Sequence, residues 1–110
     1  MKSVIAAASL NAIQIVPEID TPSHAHSWGL NPVWSDLVLK CTDDKGFDGQ
    51  LDLSKDDVYT FTKEIIREFD EIFANSPYLH FGGDEIWEDC WDAQPQIQDF
   101  MKAHGINNYG

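Results

Sequence analysis

Residues 12–19 read AIQIVPEI. Isoleucine and valine are too frequent in this run for a strand with one wet face, so the stretch predicts a strand covered on both sides, as in parallel sheets. Pro17 has no amide hydrogen and would demote a central strand, but near the end of one it marks the exit into a loop. That loop opens with DTPSHAHSWG, residues 20–29. A second apolar run, YLHF at 78–81, is bounded by Pro77 and by Gly82 and Gly83 and reads as a second strand. Between the two, SKDDVYTFTKEIIREFDEIFA at 54–74 spaces Val58, Phe61, Ile65, Phe69 and Ile72 by three or four positions, which is one buried helical stripe. Ser54 is placed to cap that helix, and Asp56 and Asp57 in its first turn complement its dipole. A last helix is expected to begin near Pro95, to bury Ile97, Phe100 and Met101, and to stop at Gly105. Residues 30–53, with Pro32, Gly46, Gly49 and an acidic cluster, show neither period and read as a long irregular excursion. Strand, long loop, helix, strand, helix is an α/β order with parallel pairing and right-handed crossovers.

The whole chain has 110 residues, which allows at most one domain and a modest core. A hydrophobic fraction of 43% with 12% aromatics argues for a packed protein against disorder, although 24% of residues are charged. Nineteen acidic side chains against seven basic ones give a formal net charge of −12. Such a surface repels phosphate backbones and anionic lipid, so nucleic acid is a poor partner, and no apolar stretch approaches the roughly 20 residues of a membrane span. The opening MKSVIAAASLNA has a lysine before an alanine-rich run, as a secretion signal does. It continues directly into the first strand, and the plainer reading is a helix end leading into that strand, with residue 1 not a natural domain start.

In a β/α architecture the loops after the strands share one face, where chemistry collects. Both DTPSHAHSWG and GGDEIW follow predicted strands, so Asp20, His24 and His26 are expected near Asp84 and Glu85. Neighbouring side chains on a regular strand point to opposite faces, and Gly82 and Gly83 free the backbone to leave the pleat so that both acids can serve one ligand. Two carboxyls in a sheltered site repel one another, which favours one acting as an acid and the other as an anion. Read singly, each feature has a duller account: acids commonly open helices, loop histidines are commonly solvated, and Trp28, Trp34, Trp87 and Trp91 suit a core as well as the apolar face of a sugar. It is their convergence on one rim that points to a site.

Taken in order, IQIVPEIDTPSHAHSWG, YLHFGGDEIWEDCW and PQIQDFM resemble the β-N-acetylhexosaminidases of glycoside hydrolase family 20, particularly the lysosomal eukaryotic type, over roughly residues 9 to 105. The resemblance implies a partial (β/α)8 TIM barrel covering about strands 3 and 4. It implies Glu85 as general acid/base and Asp84 as the carboxylate that orients the substrate's 2-acetamido group and stabilises an oxazolinium intermediate, so that the protein supplies no nucleophile. His24 matches a supporting histidine beside the acid. Cys41 and Cys90 match a disulfide of these enzymes; the residues alone leave two unpaired thiols equally open. Such a bridge is worth roughly 3 to 4 kcal/mol in the chain-entropy model and suits an oxidising compartment, lysosomal or secreted. No metal or organic cofactor is implied. The implied partners are N-acetylhexosamine-terminated glycoconjugates and the remainder of the barrel, with a dimer possible for the full-length enzyme.

Ser23 stands where the family usually has glycine, which predicts strain if that position is left-handed, and Asn11 replaces another common glycine with the next most tolerant residue. A complete barrel takes about 250 residues, so two strands are about a quarter of one and leave open sheet edges. The arginine that grips the sugar hydroxyls, an acid supporting His24 and the aromatics around the acetamide are expected outside the chain. Two other readings compete: a metal-dependent hydrolase using Asp20, His24, His26 and Asp84, and a non-catalytic carbohydrate-binding or interaction module.

Overall fold

The computed structural model describes residues 1–41 and 49–109. Gly46, part of the expected excursion, lies outside them. In chain order the elements are α1 (Lys2–Leu10), α2 (His26–Gly29), a 3-10 turn at Ser35–Leu37, β1 (Val38–Leu39), β2 (Gln50–Leu51), α3 (Asp56–Ile72), α4 (Glu88–Asp92) and α5 (Pro95–His104). None of the described helices is long and apolar enough to cross a membrane.

The two predicted strands lie side by side and parallel, but over a single bridge between Glu18 and His80. The Ile19 amide donates to the His80 carbonyl and the His80 amide to the Pro17 carbonyl, each at 2.9 Å. Residues 13–16 form no ladder, which corrects the expectation of a full strand over 12–19. The reason is physical: a strand of a parallel sheet satisfies its amides and covers its faces with neighbours on both sides, whereas here Ile13 is 61% and Val16 50% exposed.

The excursion at 30–53 also differs from expectation. Its ends close as an antiparallel pair, Val38 opposite Leu51 and Leu39 opposite Gln50, and all four side chains are buried. Alternation could not signal so short a ladder, because both faces of this ribbon are covered. One face joins Ala25, Leu37, Val38, Leu51, Val58 and Phe61 into a core, with Trp28 edge-on to Phe61 at 5.1 Å. Leu39 joins Cys41, Cys90, Trp91 and Ile97 in the other. Trp91 is 3% exposed, donates its indole N–H to the Leu51 carbonyl at 3.2 Å and meets the Tyr109 ring at 5.2 Å. Burial first, and then the hydrogen bond to Asp92, raise the Tyr109 phenol above its ordinary pKa.

Helix α3 occupies the expected stripe, with Val58 and Phe61 buried and Asp56 and Asp57 in the first turn. Lys55 rather than Ser54 holds the N-cap position, and no side chain caps the helix. Ser54 is taken by Asp52 instead: its hydroxyl donates to Asp52 Oδ1 at 2.6 Å and its amide to the same oxygen at 3.2 Å. The other oxygen accepts from Gln96 Nε2 at 3.3 Å on α5. Asp52 is 2% exposed, so this carboxylate ties β2, α3 and α5 together from inside the core. Asp52→Ala is expected to lower stability by about 1–3 kcal/mol by removing the carboxylate hydrogen bonds that hold Ser54 and Gln96 and leaving a void at a buried position, and an unchanged urea midpoint would contradict that role. Helix α5 begins with Pro95 and ends at Gly105 in the left-handed conformation, φ 67°, as the sequence predicts.

Candidate active site

The loop after the first strand segment and the loop after the second meet at the sheet end. His24 Nε2 lies 3.0 Å from Glu85 Oε2 and 3.7 Å from Asp20 Oδ2. The Gly83 amide donates to Asp20 Oδ1 at 3.2 Å, and the Ser23 hydroxyl donates to the Asp84 carbonyl at 2.8 Å. The first loop therefore grips the backbone of the second at two consecutive residues while offering its imidazole to the acid that follows.

Backbone geometry explains how adjacent acids diverge. Gly82 and Gly83 take φ of 60° and 93°, and Glu85 itself has φ of 54°. Each positive φ turns the chain out of the pleat, at little cost for glycine and at a cost for glutamate that the surrounding anchors must hold. Gly82 also has no room for a side chain: a Cβ there would stand 2.0 Å from Asp20 Oδ1 and 3.0 Å from Asp20 Cα. Gly82→Ala is expected to push Asp20 off the Gly83 amide and to lower stability by about 1–2 kcal/mol or more through the left-handed backbone alone; denaturant midpoints equal to wild type would refute the close approach.

His24 rather than Ser23 adopts the left-handed conformation, φ 57°. The expected strain at Ser23 is thus misplaced by one residue. Ser23 is 6% exposed and has a positive use, since glycine could not supply the hydroxyl that holds Asp84. The tolerance argued for Asn11 is likewise displaced, with φ of −105° at Asn11 and 54° at Ala12. The peptide bond between Thr21 and Pro22 is cis.

His24 and Glu85 share a cleft of about 340 Å³ with His26, Gln50, Trp87 and the Cys41–Cys90 pair. Those two cysteines are disulfide-bonded, with Cα atoms 5.6 Å apart. Asp84 is exposed and is not among the residues that line this cleft, whereas Glu85 lines it beside His24. Glu85 is also open, its side chain 60% exposed, and the shelter that would make neighbouring carboxyls repel strongly is not built by these residues. Among the described residues no three histidine, cysteine or acidic side chains are grouped to hold a metal, so the set Asp20, His24, His26 and Asp84 does not assemble as ligands. Sequence reasoning undervalued Asp20 and Ser23, both inside the quoted loop, and did not single out Gln50; no pattern in one sequence marks a side chain that bonds to distant backbone.

A family profile described as glycosyl hydrolase family 20, catalytic domain, matches residues 1–110. The chain belongs to this family. It is 35% identical over 109 residues to the β-hexosaminidase subunit beta of Homo sapiens, covering 96% of the chain and 19% of that protein. To the subunit alpha of Rattus norvegicus it is 36% identical over 115 residues, covering 99% and 21%. Among solved structures, a family 20 exo-β-N-acetylglucosaminidase from Vibrio harveyi, in complex with N-acetylglucosamine, superposes with a TM-score of 0.79 at 27% identity over 98% of the chain and 18% of its own. A second β-N-acetylhexosaminidase superposes at 0.78 with 20% identity and shares the fold. The family 20 chain thus spans about a fifth of the length of the curated relatives it matches. Helices around a small sheet are consistent with part of a TIM barrel.

Proposed function

We propose that these residues form part of the catalytic rim of a β-N-acetylhexosaminidase, at about the third and fourth strands of its barrel. The observation that carries the reading is the 3.0 Å contact between His24 Nε2 and Glu85 Oε2, made by two loops that follow parallel strand segments. In this reading Glu85 protonates the glycosidic oxygen as the bond to the anomeric carbon breaks, and the substrate's own acetamide carbonyl closes onto that carbon. Asp84 orients the acetamide and stabilises the oxazolinium. Glu85, now ionised, takes a proton from the water that reopens it, and the β configuration is retained. His24 holds the Glu85 carboxyl through Nε2, which also lies 3.7 Å from Asp20 Oδ2. The substrates are glycoconjugates ending in N-acetylhexosamine, and the disulfide supports a lysosomal or secreted location.

The remaining walls of the site belong to the rest of the barrel in this reading. Residues 1–110 alone are therefore expected to hydrolyse a chromogenic N-acetylglucosaminide little or not at all, while the native protein carrying them turns it over. Turnover by the 110 residues that is abolished by Glu85→Gln would refute the need for the other strands. Saturable binding of an N-acetylhexosamine by the native protein without hydrolysis would favour a carbohydrate-binding role instead.

A further inference from the structure

We infer that Gln50 is a positioning residue for the acid Glu85, an inference that rests on the hexosaminidase reading above. Gln50 is 4% exposed, and both ends of its carboxamide are spent on one residue. Its Oε1 accepts from the Trp87 amide at 2.8 Å and its Nε2 donates to the Trp87 carbonyl at 3.1 Å. This is the exchange that a neighbouring strand residue makes in a ladder, performed by a side chain.

Its importance follows from what else restrains Glu85. Between the bridge at His80 and the start of α4 at Glu88 the backbone has no regular structure, and three of its residues carry positive φ. Asp20 fixes Gly83 and Ser23 fixes Asp84, both on the near side of Glu85. Gln50 fixes Trp87 on the far side, two residues beyond the acid, and itself sits in β2 opposite Leu39 with its side chain in the core. A residue held in the left-handed region keeps that conformation only when the chain is pinned on both flanks. On that far side the Trp87 carbonyl also accepts from the Cys90 amide at 3.1 Å, and Ile86 and Trp87 pack against the Cys90 and Trp91 cluster. Among the described residues Gln50 alone holds the Trp87 amide, the group that faces back toward the acid, and without it Glu85 gains freedom to shift from His24.

A displacement of this kind impairs proton donation more than substrate binding, so it can be separated from a loss of folded protein. Two glycosides are compared in the native protein carrying these residues: methyl N-acetyl-β-glucosaminide, whose leaving oxygen needs a proton, and the 2,4-dinitrophenyl glycoside, whose leaving group departs without one. Gln50→Met, similar in shape but unable to make either bond, is expected to lower kcat on the methyl glycoside about 10²-fold, the scale of a 1 Å misplacement. KM on the methyl glycoside should hold, and kcat/KM on the dinitrophenyl glycoside, which reports the first step alone and not the reopening of the oxazolinium, should be nearly unchanged. The ratio of the two rates does not depend on how much enzyme is folded. Gln50→Glu, which keeps the acceptor for the Trp87 amide and loses the donor, should fall between, and it serves if Gln50→Met yields no folded protein. Equal losses on both glycosides, or none on either, would overturn the inference while leaving the proposed function intact. A wild-type protein that cleaves neither glycoside would sink the proposed function and this inference with it.

Discussion

Glu85→Gln in the native protein is expected to lower kcat on an alkyl N-acetyl-β-glucosaminide by about 10²–10⁴-fold, the usual contribution of a positioned general acid. The exchange is nearly isosteric and keeps an oxygen that can face His24, so the 3.0 Å contact need not collapse and the loop anchors at Gly83, Asp84 and Trp87 are untouched. What is lost is the transferable proton. KM should change little, because Glu85 meets the leaving oxygen most strongly as the bond breaks. A glycoside whose leaving group is already a good anion should lose far less in its first step. An amide in place of the acid also removes the base needed to reopen the oxazolinium, so intermediate should accumulate as a burst with that substrate. Wild-type rates from Glu85→Gln on the alkyl glycoside would show that another group donates the proton, and the assignment of the rim would fail.

The second large effect concerns the covalent tie. Replacing Cys41 and Cys90 together with serine is expected to lower stability by roughly 3 to 4 kcal/mol in the chain-entropy model, since the bridge closes a separation of 49 residues. The consequence is more than global. Cys41 follows β1, and Cys90 sits in α4, five residues after the acid, with both side chains buried in the cluster of Leu39, Trp91 and Ile97. Two serines there would bring hydroxyls into an apolar pocket, adding to the loss. The same α4 continues the chain from Trp87, so loosening it acts on the Gln50 contact as well. Guanidinium unfolding of the double variant, read beside wild type under oxidising and reducing conditions, measures the effect. Reduced wild type should unfold below oxidised wild type, and the double variant lower still by the cost of its buried hydroxyls; equal midpoints for oxidised wild type and the variant would show that the bridge constrains nothing.

Local signals carried much of the architecture. The stripe from Val58 to Ile72 and the pairing of Pro95 with Gly105 set α3 and α5, because helix period and end residues are properties of neighbours in sequence. The rim was legible for a different reason. Glycines before paired acids, and a histidine-bearing loop after an apolar run, are chemically unusual, and a β/α order places both on one side. What could not be read was anything decided between distant segments. Val38–Leu39 and Gln50–Leu51 are too short and too evenly buried to alternate, so their pairing emerges only once α3 and α5 cover them. The left-handed residue proved to be His24 and not Ser23, whose hydroxyl donates to the Asp84 carbonyl 61 residues away. Asp52 and Gln50 resembled ordinary loop polars until the structure buried them against the backbone they hold.

By itself, then, the sequence determined the two longer helices, α3 and α5, and the parallel sense of the two strand segments, and it singled out the acids that follow the second. Tertiary structure alone decided which oxygen His24 reaches, that Glu85 lines the shared cleft while Asp84 does not, and that a glutamine from β2 clasps the far flank of the acid's loop. Periodicity and turn chemistry depend on residues a few positions apart. The direction of a side chain on an irregular turn depends on hydrogen bonds to partners 37 and 61 residues away, which no local pattern records.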